Sequence, residues 1–425
     1  MLTQLSIERF KSIKSVQIDL GRVNLFIGGN GSGKSNLLEA VGVMSAALSR
    51  GLSDADFRRK GVRITPPALM KSAFKGGDLP KTFTIKGKSS EDIEYYCTLS
   101  SSLNETAISF SHESCIYKGE KVFGRSPNGA SAMGVGIKRR LDKYRGVWDQ
   151  TRAVVEFDER LSNEIDKVAN FAIYAPQTEF LRGRRIGSVD TPPIGLHGEG
   201  LSSAVRTFLV DLNKPEKQRP PQSSAEFDLL RRAIGLPLSP GWATTFQAKK
   251  IPSLMRSSDM ELPSEDMVYF VDRYMHTARN RLSVYDSSEG TLFLLFATIL
   301  IAHRESPPIF AMDNVDSALN PRLTRRLLEE IINIVRLKAD SNLSLGPEQV
   351  FLTSHNPTSL DAFDIFDDDT RIFVVFRNNE GETNVERLKP SSKITRETWH
   401  EMSNGRRLSE MWIDGEIAGA LGASL

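Results

Sequence analysis

Gly28–Ser35 reads Gly-Gly-Asn-Gly-Ser-Gly-Lys-Ser, and it constrains this chain more than any other stretch. Two fixed glycines followed by Lys and Ser form the phosphate-loop pattern, in which backbone N–H groups surround the α- and β-phosphates of a nucleotide. Asn30, Gly31, Ser32, Gly33 and Asn36 fall within or beside that cradle. Lys34 is placed to reach the β/γ-phosphates, and the Ser35 hydroxyl to ligate Mg2+. The flanks agree. Val23–Ile27 is a short apolar run that reads as a buried strand, and Asn36–Leu48 has the composition of a helix. The partial positive charge of the helix N-terminus then points at the phosphates.

At 425 residues the chain is long enough for two or three structural units. A net charge of +2 argues neither for nor against nucleic acid, so any basic binding surface has to be local. Lys138, Arg139, Arg140, Lys143 and Arg145 form one such cluster, which reads either as a solvated helix face or as a nucleic-acid contact. Met1–Leu20 lacks the apolar core of a secretory signal. The longest apolar run, Thr291–Ala302, is too short to cross a bilayer and reads as a buried helix. A cytoplasmic protein without a membrane partner is expected. Cys97 and Cys115 lie in strand-like stretches without metal-ligand spacing and read as buried thiols.

Along the chain, Leu2–Leu20 alternates like a pair of half-buried strands, and Gly51–Pro80 reads as loop. Thr82–Ile85, Ile93–Ser100, Ala107–His112 and Cys115–Tyr117 suggest an antiparallel sheet, followed by a linker at Ser126–Met133. Gly136–Val168 has the spacing of two helices, and Phe171–Pro176 that of a strand. Beyond the arginine-rich Arg182–Arg185, further helices are expected at Glu199–Leu212, Glu226–Ile234 and Glu265–Arg281, with a flexible segment at Lys214–Ser224. Pro307–Met312, Gln349–Thr353 and Arg371–Phe376 read as strands, and Pro321–Lys338 as a long helix. Strands alternating with helices point to a largely parallel α/β core.

Three later segments sharpen the reading. Pro307–Asn314 is an apolar strand ending in Asp313, where a carboxylate can hold magnesium. Ser287-Ser288-Glu289-Gly290 opens an apolar helix and offers a hydroxyl and free amides to a phosphate. Val350–Pro357 ends a strand with Thr353, Ser354 and His355, polar groups placed to sense that phosphate. Phosphate loop, Ser-x-Gly helix start, strand-end Asp and strand-end His, in this order, resemble the ATP-binding-cassette class. Ser317–Pro321 resembles that class's dimer-contact loop, and Gln177 its metal-facing glutamine. Nearly the whole chain is similar to stand-alone AAA-family ATPases akin to RecF and the overcoming-lysogenization-defect proteins, through Leu5–Ser15 with the loop and through Leu408–Ala420.

The resemblance implies an α/β phosphate-loop fold of cassette type. It would have a mostly parallel core sheet, an N-terminal antiparallel β subdomain and a helical signature lobe (Ser202–Arg281). The implied division of the chain is 1–125, 126–170, 171–282 and 283–425. The resemblance also implies a homodimer, or higher even oligomer, that traps ATP and Mg2+ between one copy's loop and the other's Ser288–Gly290. Ser35, Asp313 and Gln177 would face the metal. Taken singly, Ser288 also reads as a helix cap, His355 as a strand-end hydrogen bonder and Gln177 as a surface residue. The stretch after His355 is too short for the nuclease domain of some relatives. The output is therefore expected on a separate, nuclease-like effector in anti-phage defence or genome maintenance. A DNA-binding repair clamp and a non-hydrolysing scaffold are the alternatives.

The chain departs from this pattern at one position. Where the class places a glutamate after the strand-end acid, this chain has Asn314. An amide can hydrogen-bond water but accepts no proton, and lost base assistance costs about 10²–10⁴ in rate. Asp316 either substitutes for the missing acid or only orients the following helix. Asn314, Asp316 and His355 are the expected catalytic set, and slow turnover is the expected consequence.

Overall fold

The computed structural model describes residues 1–101, 107–183, 192–213, 224–250 and 266–417. The expected flexible segment Lys214–Ser224, apart from its last residue, lies outside them, as do Arg184, Arg185 and the end of Leu408–Ala420. Two compact units emerge. One is Met1–Ile173 with Pro308–Asn314 and Gln349–Leu425, and the other is Tyr174–Pro307 with Val315–Glu348.

In chain order the elements begin with β1 (Leu2–Phe10), β2 (Ile13–Asp19), β3 (Val23–Ile27), α1 (Lys34–Ser49) and α2 (Asp54–Arg59). Then come β4 (Thr82–Ser89), β5 (Ile93–Ser100), β6 (Ser109–Tyr117), β7 (Glu120–Ser126), β8 (Gly129–Ala132) and β9 (Val135–Gly136). After them lie α3 (Val147–Thr151), α4 (Glu159–Ala169), β10 (Ile173–Tyr174), α5 (Thr178–Leu181), α6 (Leu201–Leu212) and α7 (Ser224–Gly235). A meander of β11 (Ala243–Lys250), β12 (Asp266–Asp272) and β13 (Arg281–Ser283) leads to α8 (Glu289–Ala302), β14 (Ile309–Met312) and α9 (Pro321–Ser341). The chain continues through β15 (Gln349–Ser354), β16 (Thr370–Arg377), β17 (Thr383–Arg387), α10 (Arg396–Ser403) and α11 (Leu408–Ile413).

The first unit carries an eight-stranded sheet in the order β2-β1-β4-β5-β6-β7-β8-β9 and a six-stranded sheet in the order β10-β14-β15-β3-β16-β17. The first is antiparallel, as expected. In the second, β14, β15, β3 and β16 run parallel, and β17 closes one edge antiparallel. All five residues of β3 are buried. A strand covered on both faces has no polar side to show, which is why Val23–Ile27 reads as an unbroken apolar run. The amide of Gln349, fully buried at the start of β15, accepts from Leu2 N (3.0 Å) and donates to Leu2 O and Gly21 O (both 2.7 Å). It ties the start of β1 to the start of β15.

In the second unit α8 is the hub. Every residue from Thr291 to Ala302 is buried, and the helix packs against α5, α6, α7 and α9. The buried apolar helix expected over Thr291–Ala302 is present.

Several local expectations are corrected. The helix expected over Glu265–Arg281 is absent from Asp266 onward, where β12, a turn and β13 stand, and Glu265 lies outside the described residues. Asp-Met-Val-Tyr-Phe-Val-Asp is rich in β-branched and aromatic residues, and Val268 and Phe270 alternate into the core, so a period of two wins. The signature lobe therefore holds a three-stranded sheet beside its helices. Ser126–Met133 is the β7–β8 hairpin rather than a linker. Gly51–Pro80 contains α2, closed by a capping box between Ser53 and Asp56. Two helices do form within Gly136–Val168, but they begin at Val147, so the basic cluster lies on non-helical chain.

Arg125 explains that last correction. Its guanidinium donates to the carbonyls of Asp142 (2.8 Å) and Arg145, while its Nε meets the buried Glu113 carboxylate at 3.1 Å. Glu113 also accepts from Tyr95 Oη and from the backbone N of Val147. Burial pushes the Glu113 carboxyl above its ordinary range, and the Arg125 charge opposes that shift. With its carbonyls bonded to Arg125, the segment carrying the basic cluster takes a course set by this junction.

Candidate nucleotide site

Strand register builds the site. Met312 pairs with Leu352, and Leu352 with Leu25, so β14, β15 and β3 end side by side. Asp313 leaves the end of β14, Ser354 and His355 the end of β15, and the phosphate loop the end of β3. Parallel α/β sheets bind ligands at this carboxyl end of their strands.

In the loop, Asn30 and Gly31 form an exposed crest, while Ser32 is buried. Gly33 is the N-cap of α1 at φ 111°, and a Cβ there would stand 2.2 Å from Thr383 Oγ1. Only glycine combines that backbone conformation with that approach. Lys34 Nζ donates to the carbonyls of Gly28 (2.8 Å) and Gly29 (2.9 Å) and lies 3.2 Å from His355 Nδ1. An ammonium has only donors, so in this contact Nδ1 is the acceptor. His355 is exposed, whereas Thr353 and Ser354 are fully buried.

Asp313 is gripped from two sides. Ser35 Oγ lies 3.1 and 3.3 Å from its carboxylate oxygens, and Thr353 Oγ1 donates to Oδ1. The same Thr353 oxygen accepts the backbone N–H of Asn314 at 2.8 Å. Asn314 sits at φ 55°, in the left-handed region that asparagine tolerates better than most side chains. Thus Lys34, Ser35, Asp313, Asn314 and His355 lie together at these strand ends. Thr353 has a different part from the expected phosphate sensor, because its hydroxyl is committed to Asp313 and Asn314.

Sequence reasoning missed a second layer. Asn36 Nδ2 donates to Ser12 Oγ (2.7 Å), and its Oδ1 accepts from Arg63 (3.0 Å). Thr383 Oγ1 contacts Ser12 Oγ (2.7 Å) and donates to Ser32 O (2.8 Å). Glu39, 2% exposed on α1, is bridged by both Lys11 and Arg63. Burial holds the Lys11 ammonium below its ordinary value, and the Glu39 carboxylate opposes that shift. The signal was available in Asn-Leu-Leu-Glu-Ala-Val, since a lone carboxylate in an apolar helix requires cations from elsewhere.

The donor set fits a magnesium–nucleotide complex. Ser32 Oγ is buried without a hydrogen-bond partner among the described residues, and a Cβ at Gly29 or Gly31 would meet nothing within 4 Å. No group of three or more His, Cys, Asp or Glu arranged to hold a metal ion occurs among the described residues. Magnesium does not need one, since it commonly takes one or two carboxylates together with phosphate oxygens and water.

The remaining expected residues lie in the second unit. Ser288 is the N-cap of α8, and its Oγ accepts from Thr291 N at 3.3 Å, so the capping role is real. A Cβ on Gly290 would stand 3.0 Å from Ala318 O, which makes glycine the residue that admits the 316–319 turn. Asp316 is half-buried. Gln177 is exposed at the start of the short α5, with its backbone N bonded to His197 O. Cys97 and Cys115 are free and buried, and burial pushes the Cys115 thiol up to about 12. No helix among the described residues is long and apolar enough to cross a membrane.

Among solved structures, the chain is similar to the SMC head domain from Thermotoga maritima, at 13% identity over 92% of this chain and 99% of that one, with a TM-score of 0.41. It is also similar to the recombination mediator protein RecF bound to ATP, at 14% identity over 91% and 99% of the two chains, with a TM-score of 0.36. The comparison with curated proteins gives no match. Residues 1–113 match the family described as AAA ATPase domain. Residues 148–361 match the family described as AAA domain, putative AbiEii toxin, Type IV TA system. The first match takes in the phosphate loop and the second reaches from α3 past His355, so the chain belongs to the AAA-domain family of ATPases.

Proposed function

We propose that this protein is a slowly hydrolysing ATP switch that dimerises around ATP and sets the state of a separate effector. The observation that carries the reading is the convergence of Lys34, Ser35, Asp313 and His355 at the ends of three parallel strands. In this reading Asn30–Asn36 cradle the phosphates, and Lys34 exchanges its loop carbonyls for phosphate oxygens. Ser35 and Asp313 hold Mg2+, which when bound neutralises phosphate charge. Gln177 as a further metal contact belongs to the same proposal. So does a functional lobe spanning residues 283–425.

A second copy closes the site with Ser288 and Gly290. Asn314 orients the attacking water without taking its proton, and Asp316 is the nearest alternative acceptor in sequence. Slow turnover lets the bound nucleotide hold one conformation long enough to control a partner. The nuclease-like effector, and a place in anti-phage defence or genome maintenance, rest on the resemblance to stand-alone ATPases rather than on side-chain geometry.

Titration of a fluorescent ATP analogue tests the core of this reading. Lys34→Ala is expected to abolish binding, because it removes the cation the loop aims at the β/γ-phosphates. Wild-type affinity in that variant would remove the proposal.

A further inference from the structure

α8 opens on a hydrogen-bond relay whose direction is fixed by counting protons. Trp242, just before β11, has only a donor in its indole N–H, and Nε1 lies 3.0 Å from Thr291 Oγ1. The Thr291 hydroxyl therefore accepts on that side. Its own proton needs an acceptor, because Thr291 is fully buried and an unpaired buried donor is costly. Among the described residues that acceptor is Ser288 Oγ, at 2.7 Å. Ser288 Oγ already accepts the backbone N–H of Thr291 at 3.3 Å. With both lone pairs engaged, the exposed Ser288 has only its O–H left to offer.

We infer that Trp242 and Thr291 are positioning residues that commit the Ser288 hydroxyl to donating outward, toward an anionic oxygen. The inference rests on the composite-site reading, in which that oxygen belongs to the terminal phosphate held by a second copy. Capping alone does not require the relay, since a cap needs only the serine oxygen and one backbone N–H. An uncommitted serine can turn its proton inward and present a lone pair to the phosphate, which is repulsive. The relay removes that orientation. The first-turn amides of α8 add donors and a favourable dipole at the same end.

The test is ATP-driven self-association of the full-length chain, followed by sedimentation velocity, with ATP affinity of the monomer and thermal stability as controls. Thr291→Val is expected to weaken association by about tenfold, the upper range for one oriented hydrogen bond. Thr291→Ser keeps the hydroxyl and should restore it. Trp242→Phe, which keeps a ring but removes the N–H, should weaken association less, and monomer affinity should not move. In a Ser288→Ala background, Thr291→Val should add nothing further.

If Ser288→Ala weakens association while Thr291→Val and Trp242→Phe do not, the relay is wrong and the composite site stands. An equal loss from Thr291→Val with or without the serine also overturns it, by marking a merely structural role. If Ser288→Ala itself has no effect, the composite-site reading falls and the inference with it. Should Thr291→Val fail to fold, the partly exposed Trp242→Phe carries the same decision.

Discussion

At the scale of single residues, Thr353 joins the two positions on which the proposed chemistry turns. Its hydroxyl donates to Asp313 and accepts from the Asn314 backbone, so one side chain sets both the carboxylate and the turn after it. Thr353→Val is expected to lower magnesium-dependent nucleotide affinity by about tenfold, with Thr353→Ser close to wild type. Calorimetric titration with and without Mg2+ checks this. Equal losses in both conditions would mean that Thr353 supports only the strand. Asn314 invites the opposite experiment. Asn314→Glu supplies the missing proton acceptor, so phosphate release should rise by about tenfold or more. The left-handed backbone there should cost the glutamate variant about 1 kcal/mol of stability. If turnover is unchanged in Asn314→Glu and undiminished in Asp316→Asn, neither residue handles the water. That Lys34, Ser35 and Asp313 lie together at strand ends was legible because each sits in a contiguous strand-to-loop motif. The partners of Thr353, and the hydrogen bonds that link Arg63, Asn36, Ser12 and Thr383, were not, because these residues are distant in sequence and only the fold brings them together.

At the scale of elements, the basic segment between β9 and α3 shows how a buried pair can shape chain that looks helical. Arg125 and Glu113 bond its carbonyls and the first N–H of α3, leaving no helical pattern for residues 138–145. Glu113→Ala leaves a buried guanidinium without its counter-charge and should cost about 3–5 kcal/mol. A fall in melting temperature, with a newly protease-sensitive site near Arg145, checks it. Full protection there would show that the segment holds its course without the pair. Periodicity identified the long, strongly patterned elements such as α8, α9 and β3. It failed at Glu265–Arg281, where alternation in a short strand competes with charges at helical spacing and only packing of Val268 and Phe270 decides.

At the scale of the molecule, the proposed switch is a property of two copies. Ser288→Arg places a bulky cation where the partner's nucleotide is expected, so it should leave monomer ATP binding intact and block ATP-driven dimers. Light scattering with and without ATP tests this, and dimers that persist in the variant would exclude the composite site. The six-stranded sheet also has a consequence in time. β3, which launches the phosphate loop, is hydrogen-bonded on one side to β15 and on the other to β16, so this strand waits for neighbours made several hundred residues later. At about 5–20 residues per second, that interval is on the order of half a minute. A nascent chain that has passed Lys34 but not Gln349 carries the motif without the platform that aims it. Such chains should be unable to capture nucleotide, so ribosome-bound intermediates would not compete with finished protein for ATP or enter the proposed dimers prematurely.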